Sequence, residues 1–320
     1  MVENKLNAFE QFINNKNCLK IVCGAGSKDL NQITNLCALY AAGGCRFFDV
    51  NASTEAIHAA KKGLKYVGKE KESFICVSVG TKDDPHFTKY CINSEKCINC
   101  GECAVICPEK AVTQTNNSCT INENKCIGCG KCFNICKNKA IENYQKAALI
   151  SDLISQIINE DTDCLEYHII TDNTKEISDG WKIITNLYNG PVSVCLDRSK
   201  FGNENIVKIL KEMKNSCKNL FIIQADGAPM SGGEDDYRTT LQAVAAADII
   251  DKAGITPYIF ISGGTNSKTK ELAKICSVDV TGISIGTYAR KIVRKFIEED
   301  DFLTNKTSFD KALEIIRCIV

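Results

Sequence analysis

The chain is short of several things that would have placed it quickly. It has five prolines, one tryptophan and three histidines in 320 residues, and no low-complexity tract, which argues against a disordered or fibrous protein. Lys+Arg and Asp+Glu both number 39, so there is no net charge to draw nucleic acid or an anionic membrane. No apolar run approaches the ~18 residues that a membrane span needs. Residues 1–17 lack the basic and apolar regions of a signal peptide, so a cytoplasmic protein is expected. With so few histidines and no pair of them, neither a histidine metal site nor a hydrolytic triad is expected.

Cysteine, by contrast, is abundant. Of the 20, eight fall in two equal runs within forty residues, and the other twelve are scattered, several inside apolar stretches such as 74–79 and 192–196. In a reducing compartment such thiols pack as small hydrophobes, and disulfides are the weaker reading. The first run is Cys97-x2-Cys100-x2-Cys103-x3-Cys107-Pro108, and the second is Cys126-x2-Cys129-x2-Cys132-x3-Cys136-Lys137. Each x2 spacing lets a turn aim its thiolates at one centre, and Gly101 and Gly130 let backbone approach the sulfides. Zinc sites more usually pair two x2 units across a long gap. Two [4Fe–4S] clusters of the bacterial ferredoxin kind are therefore expected. In that pattern the fourth cysteine of each run ligates the other cluster. Cys97, Cys100, Cys103 and Cys136 would hold cluster 1, and Cys126, Cys129, Cys132 and Cys107 cluster 2. Cys91 and Cys119 lie in the same segment outside both runs and are read as packing thiols. From Cys91 to Glu142 there are six Lys, five Glu and no Asp or Arg, so charge names no electron-transfer partner.

With residues 88–142 set aside, strand-like apolar runs remain at 19–22, 46–50, 74–79, 165–171, 192–196, 220–224, 258–262 and 280–285. Amphipathic stretches at 30–42, 54–67, 205–213, 239–253 and 269–275 lie between them. Eight strand–helix units predict an α/β fold, a TIM-like (β/α)8 barrel formed by residues 1–87 and 143–320; a doubly wound open sheet is the competitor. The small α+β ferredoxin-like domain, 88–142, would then be an insertion in the loop after strand 3, over the C-terminal face of the barrel where barrel chemistry occurs.

Two glycine-bearing turns stand where barrels often hold phosphate, after strands seven and eight. They are Ser262-Gly263-Gly264-Thr265-Asn266 and Gly286-Thr287-Tyr288-Ala289-Arg290, with Arg290 expected to add positive charge. Flavin mononucleotide (FMN) or another phosphate-bearing ligand is the cofactor this implies; the plainer alternative is that these glycines only permit tight turns. Candidate catalytic groups at strand ends are Asp49, Asn51, Asp197, Gln224 and Asp226, with Cys23, in Cys23-Gly24-Ala25-Gly26, as a candidate reactive thiol. Their plainer reading is caps and ion pairs at the barrel rim. The loop Asp226–Gly233 follows strand six; His58 reads as a helix-surface residue, His168 as lying within a strand, and His86 as preceding the insertion.

Taken together, Lys20-Ile21-Val22-Cys23-Gly24-Ala25, Phe48-Asp49-Val50, the double cysteine run, Gln224-Ala225-Asp226-Gly227-Ala228-Pro229-Met230-Ser231, Gly263–Asn266 and Gly286–Arg290 resemble the LdpA family, the light-dependent period proteins first recognised in cyanobacteria. The resemblance runs over most of the chain. It implies an iron–sulfur protein sensitive to cellular redox state, acting in the cyanobacterial case on the circadian clock, and it implies no catalytic residue. Two functions stay open. One is an oxidoreductase whose clusters exchange electrons with a flavin or phosphate-bearing substrate at the barrel mouth. The other is a non-catalytic redox sensor or electron carrier that signals cluster state to a partner. Either would take a redox partner protein (a ferredoxin, flavodoxin or reductase), with no nucleic acid and no membrane.

Overall fold

The computed structural model describes residues 2–24, 28–81, 88–145, 149–198, 201–227 and 233–320. Its central sheet contains eight strands: β1 (Cys18–Gly24), β2 (Phe47–Asn51), β3 (Phe74–Gly80), β8 (Cys164–Ile169), β9 (Val192–Asp197), β10 (Phe221–Asp226), β11 (Ile259–Ser262) and β12 (Gly282–Ile285). All pair in parallel and close in the order β1-β12-β11-β10-β9-β8-β3-β2, so each barrel strand lies beside its neighbours in sequence. The competing open sheet is thereby excluded. Helix α1 (Val2–Asn14) precedes β1. The outer ring is α2 (Leu30–Ala42), α3 (Thr54–Tyr66), α6 (Ile150–Ile157), α7 (Thr174–Leu187), α8 (Asn203–Ser216), α9 (Tyr237–Ala253), α10 (Thr269–Ile275) and α11 (Thr287–Ile297), with α12 (Lys306–Ile316) after it. No helix among the described residues is long and apolar enough to cross a membrane.

The helices begin where short polar side chains accept the first free backbone N–H groups: Asp29 from Gln32, Ser53 from Ala56, Asn173 from Lys175 and Glu176, and Asp236 from Thr239. Helices α2 and α3 pack closely because α3 carries Gly63 at the contact. A Cβ there would stand 2.2 Å from the Thr34 carbonyl oxygen, so any larger residue forces the pair apart.

Between β3 and β8 the chain leaves the barrel. Strands β4 (Thr88–Ile92) and β7 (Ile141–Gln145) pair antiparallel as a stalk, Thr88 opposite Gln145 and Ile92 opposite Ile141. The stalk carries a small unit of β5 (Val112–Gln114), β6 (Cys119–Ile121), α4 (Glu102–Ile106) and α5 (Lys131–Ile135). The insertion thus departs after the third barrel strand, as the sequence suggests, and its stalk continues to Gln145.

Helix α1 has a role that sequence reading assigned to nothing. Phe9 and Ile13 are buried in a cluster with Cys18, Phe47, Phe74, Cys76, Cys164, Ile222 and Phe260, the residues that face inward at the N-terminal ends of the strands. The Phe9 ring lies 5.2 Å from Phe47 and 5.1 Å from Phe74, edge-on or tilted as aromatic quadrupoles prefer. The helix therefore seals the bottom of the barrel with apolar surface, and Lys5 ties it to Asp163 at 3.1 Å. Phe9→Ala would open a cavity in this seal and is expected to lower unfolding free energy by about 3–5 kcal/mol, read from urea denaturation. A loss below about 1 kcal/mol would mean that the helix is dispensable to the barrel.

Candidate functional site

The cysteine unit has internal twofold likeness. Gly101 (φ 77°) and Gly130 (φ 71°) stand just before α4 and α5 in left-handed backbone, which glycine adopts without strain. Cys103 and Cys132 lie on those helices, and Cys107 and Cys136 follow their ends. The Ala111 N–H donates to the Cys107 sulfur at 3.2 Å and the Ala140 N–H to that of Cys136 at 3.3 Å, matching bonds in the two halves. Two separate cavities result. One is lined by Cys97, Cys100, Cys103 and Cys136; the other by Cys107, Cys126, Cys129 and Cys132. Three cysteines of one run thus meet the fourth of the other.

The donor chemistry of both cavities suits a polycation. Burial pushes the Cys132 thiol up to about 12, and Cys126, Cys129 and Cys107 raise it further by like charge. Burial and then Cys119 push Cys103 up to about 11. A metal centre that takes four cysteine ligands binds them as thiolates and neutralises their charge. Cys119 lines the first cavity but donates to Asn99 Oδ1 at 3.1 Å, and Cys91 is exposed.

The two cavities differ in surroundings. Around the first, Cys100 is exposed, Ile98 is 69% exposed and Val105 91%. The second includes Glu109 in its wall, and Glu109 is buried against the barrel. Arg294 on α11 donates from Nη2 to Glu109 Oε2 at 2.8 Å and from Nη1 to the Pro108 carbonyl, while Arg290 Nη2 lies 3.9 Å from Glu109 Oε1. The Lys28 N–H, after β1, also donates to the Asn124 carbonyl at 3.0 Å. These contacts hold the second cavity to the barrel beside β1 and the start of α11.

Above its apolar base the barrel interior is polar. Lys20 is fully buried, donates to Glu166 Oε2 at 2.6 Å and lies 3.9 Å from Asp49. Ser78 donates to Asp49 at 2.7 Å, Ser193 to Glu166 at 3.0 Å and Ser284 to Gln224 Oε1 at 2.6 Å. Nearer the C-terminal ends, Asp226 Oδ2 accepts from Cys195 Sγ at 3.4 Å and lies 3.5 Å from His168 Nε2. Burial, only partly offset by Lys20, pushes the Asp49 carboxyl up to about 6.

Strand alternation thus brings Asp49, Asn51, Asp197, Gln224 and Asp226 to the inner face as expected, all buried. Other expectations are corrected. Cys23 faces outward beneath α2, its sulfur 3.6 Å from that of Cys37 and wholly buried, so it presents no thiol to the barrel mouth. Arg290 faces Glu109 and donates to the Val22 carbonyl at 2.8 Å, so its charge serves the insertion. Thr265 donates to the Ser284 carbonyl at 2.5 Å, and Asn266 Nδ2 binds the carbonyls of Glu234 and Asp236, so both side chains fasten loops. Ser262 and Thr287 are half-buried at the strand ends. Gly263 (φ 69°) and Gly264 (φ 80°) take left-handed backbone, and Gly286 starts α11 with no side-chain cap, leaving backbone N–H groups there for an anion. His58 is exposed and pairs with Glu160, as a surface residue would. Ala25, Gly26, His86 and 228–232 lie outside the described residues. Sequence reading missed Lys20, Glu109, Glu166, His168 and Cys195. The alternation that selected Asp49 would also have selected Glu166 and His168, which share a strand face.

Two outcomes test this geometry. Glu109→Ala takes the insertion's carboxylate from buried Arg290 and half-buried Arg294; breaking a buried pair typically costs about 3–5 kcal/mol. Amide exchange in 88–145 and in α11 is expected to rise, and unchanged protection would show that the stalk alone fixes the insertion. For Asp49 the folded value of about 6 exceeds the ordinary 3.8, so the folded state binds its proton more tightly than the unfolded one. Its contribution to stability therefore grows as pH falls from about 6 towards 3.8 and is absent above that window. Asp49→Asn should remove this increment, so that urea midpoints of parent and variant diverge with a pH-dependent gap; a constant gap would contradict a raised carboxyl.

Comparison with known proteins places this geometry. The family described as "4Fe-4S dicluster domain" matches residues 96–140, and that described as "Light dependent period A C-terminal domain" matches 156–316. "Light dependent period A" of Synechococcus elongatus is 27% identical over 294 residues, covering 87% of this chain and 82% of that protein. Among solved structures, tryptophan synthase of Mycobacterium tuberculosis aligns at 8% identity with a TM-score of 0.48, covering 97% of each chain. The tryptophan synthase alpha-subunit of Pyrococcus furiosus aligns at 9% with a TM-score of 0.44, covering 94% of this chain and 96% of that one. With its cysteine unit and its C-terminal half both matched, this chain is an iron–sulfur protein and belongs to the Light dependent period A family.

Proposed function

We propose that the chain is an electron-transfer protein in which two [4Fe–4S] clusters exchange electrons with a ligand at the C-terminal mouth of the barrel. The observation that carries this reading is Glu109: it forms part of the wall of the second cavity and is held by Arg290 and Arg294 of the barrel. Cys97, Cys100, Cys103 and Cys136 would hold the outer cluster, and Cys107, Cys126, Cys129 and Cys132 the inner one. When bound, such clusters supply one-electron transfer. The chain's own residues do the rest. Exposed Ile98 and Val105 leave the outer cavity open to a redox partner such as a ferredoxin, flavodoxin or reductase. Around the inner one, Ile127, Cys126 and Cys132 are buried. At the mouth, the left-handed turn at Gly263 and Gly264 and the uncapped start of α11 offer N–H groups to FMN or another phosphate-bearing ligand. Placement against the barrel favours this over a free-standing sensor, which would need no buried connection between cavity and barrel.

The test is anaerobic purification, iron determination and an ultraviolet–visible spectrum before and after acid release. About eight irons per chain and a flavin spectrum in the acid supernatant are expected. Iron without a released chromophore would move the reading to the sensor or carrier, or to an enzyme whose phosphorylated ligand is its substrate. Zinc in place of iron would sink it. Cys132→Ser should lower iron towards about four per chain while Cys91→Ser leaves it unchanged.

A further inference from the structure

The barrel holds a second constellation of metal-ligating side chains, apart from the cysteine unit. His168, Cys195 and Asp226 come from three consecutive strands, β8, β9 and β10, and each is buried. In the sheet register His168 stands beside Cys195, and Asp226 lies two residues beyond Gln224, the partner of Cys195. One imidazole nitrogen, one sulfur and one carboxylate oxygen thereby fall within 4.8 Å of one another.

We propose that His168, Cys195 and Asp226 form a mononuclear divalent-metal site of the zinc class inside the barrel. The separations carry the argument. Tetrahedral zinc with Zn–S ~2.3 Å and Zn–N and Zn–O ~2.0–2.2 Å sets sulfur and oxygen ligands about 3.6 Å apart, and nitrogen and oxygen ligands about 3.4 Å apart. The structure has 3.4 Å from Cys195 Sγ to Asp226 Oδ2 and 3.5 Å from His168 Nε2 to the same oxygen. Both separations are those that two ligands of one tetrahedral ion would have. Nearby, the Lys20 ammonium is engaged by Glu166 and Asp49. Asp226 Oδ1, buried, has no hydrogen-bond partner among the described residues. A divalent cation would neutralise this carboxylate.

Three protein ligands leave the fourth position of a tetrahedral ion to water or to a substrate oxygen. The ligand class that fits is a carbonyl or carboxylate, which the metal would polarise as a Lewis acid. Neither role depends on the electron-transfer reading.

The experiment uses the anaerobically purified holoprotein, with its iron, and the zinc ion alone as probe. Protein is equilibrated with zinc, passed through gel filtration with a weak chelator, and analysed for zinc and iron by mass spectrometry. The parent is expected to retain about one zinc per chain, and Cys195→Ser and Asp226→Asn less than about one-tenth of that, with iron unchanged in all three. Iron and thermal midpoint serve as the folding check, and His168→Gln is the second arm should one variant fail to fold. X-ray absorption at the zinc edge should show one sulfur at ~2.3 Å with nitrogen and oxygen at ~2.0–2.2 Å. Absence of retained zinc in the parent, equal retention in the variants, or a zinc shell of four sulfurs, which is zinc in the cysteine cavities, would each overturn the proposal.

Discussion

Glu109 stands two residues after a cysteine of the second cavity and faces two arginines of α11; Glu109 and Arg290 are buried and Arg294 is half-buried. The functional geometry hangs on this contact. A buried carboxylate facing two guanidinium groups adds little stability over apolar packing, since desolvation offsets most of the attraction. It does select one docking position, because displacement leaves a charge both buried and unpaired. Without it the cysteine unit would be joined to the barrel chiefly by a two-stranded stalk, an element of marginal stability by itself. The same contact determines what α11 can do. An arginine placed where many barrels bind phosphate is here committed to the insertion, so any anion at that end must rely on backbone N–H groups.

A vertical gradient of polarity inside the barrel is the second organising feature. At the base the inward side chains are aromatic, aliphatic or cysteine, and α1 covers them. One layer up, Lys20, Glu166, Asp49 and the serines form a hydrogen-bonded network in which every charge meets a partner. Higher still come Cys195, His168 and Asp226, with Gly263 so close to Asp226 that a Cβ there would fall 1.7 Å from Oδ1. Rigid, apolar packing below and metal-ligating groups above are the division of labour that lets a barrel hold reactive groups without losing its core. The cysteine unit docks at the upper end, so its inner cavity and the polar face lie on the same side of the molecule.

Much of this was legible in the chain. The cysteine spacing, the glycines before α4 and α5, and the apolar runs of the barrel strands are local signals, readable because turn geometry and strand alternation act over a few residues. The inward position of Asp49, Asn51, Asp197, Gln224 and Asp226 followed from alternation once the strands were known. Cys23 was misplaced because its backbone lies at a strand end, while its side chain takes the opposite, outward phase. Arg290 was misread because its partner is 181 residues away in sequence, on an insertion whose landing point no local pattern encodes.

By itself, then, the sequence determined the eight barrel strands and several of their helices, that eight such strands suit a closed barrel, and that eight cysteines are grouped for metal in two sets of four. Only the tertiary structure decided which cysteine cavity meets the barrel, and that His168, Cys195 and Asp226 converge. The reason is physical. Local spacing fixes dihedral angles and alternation, but the meeting of groups from different strands depends on sheet register and barrel closure, and the docking of the insertion depends on pairing buried charges far apart in the chain.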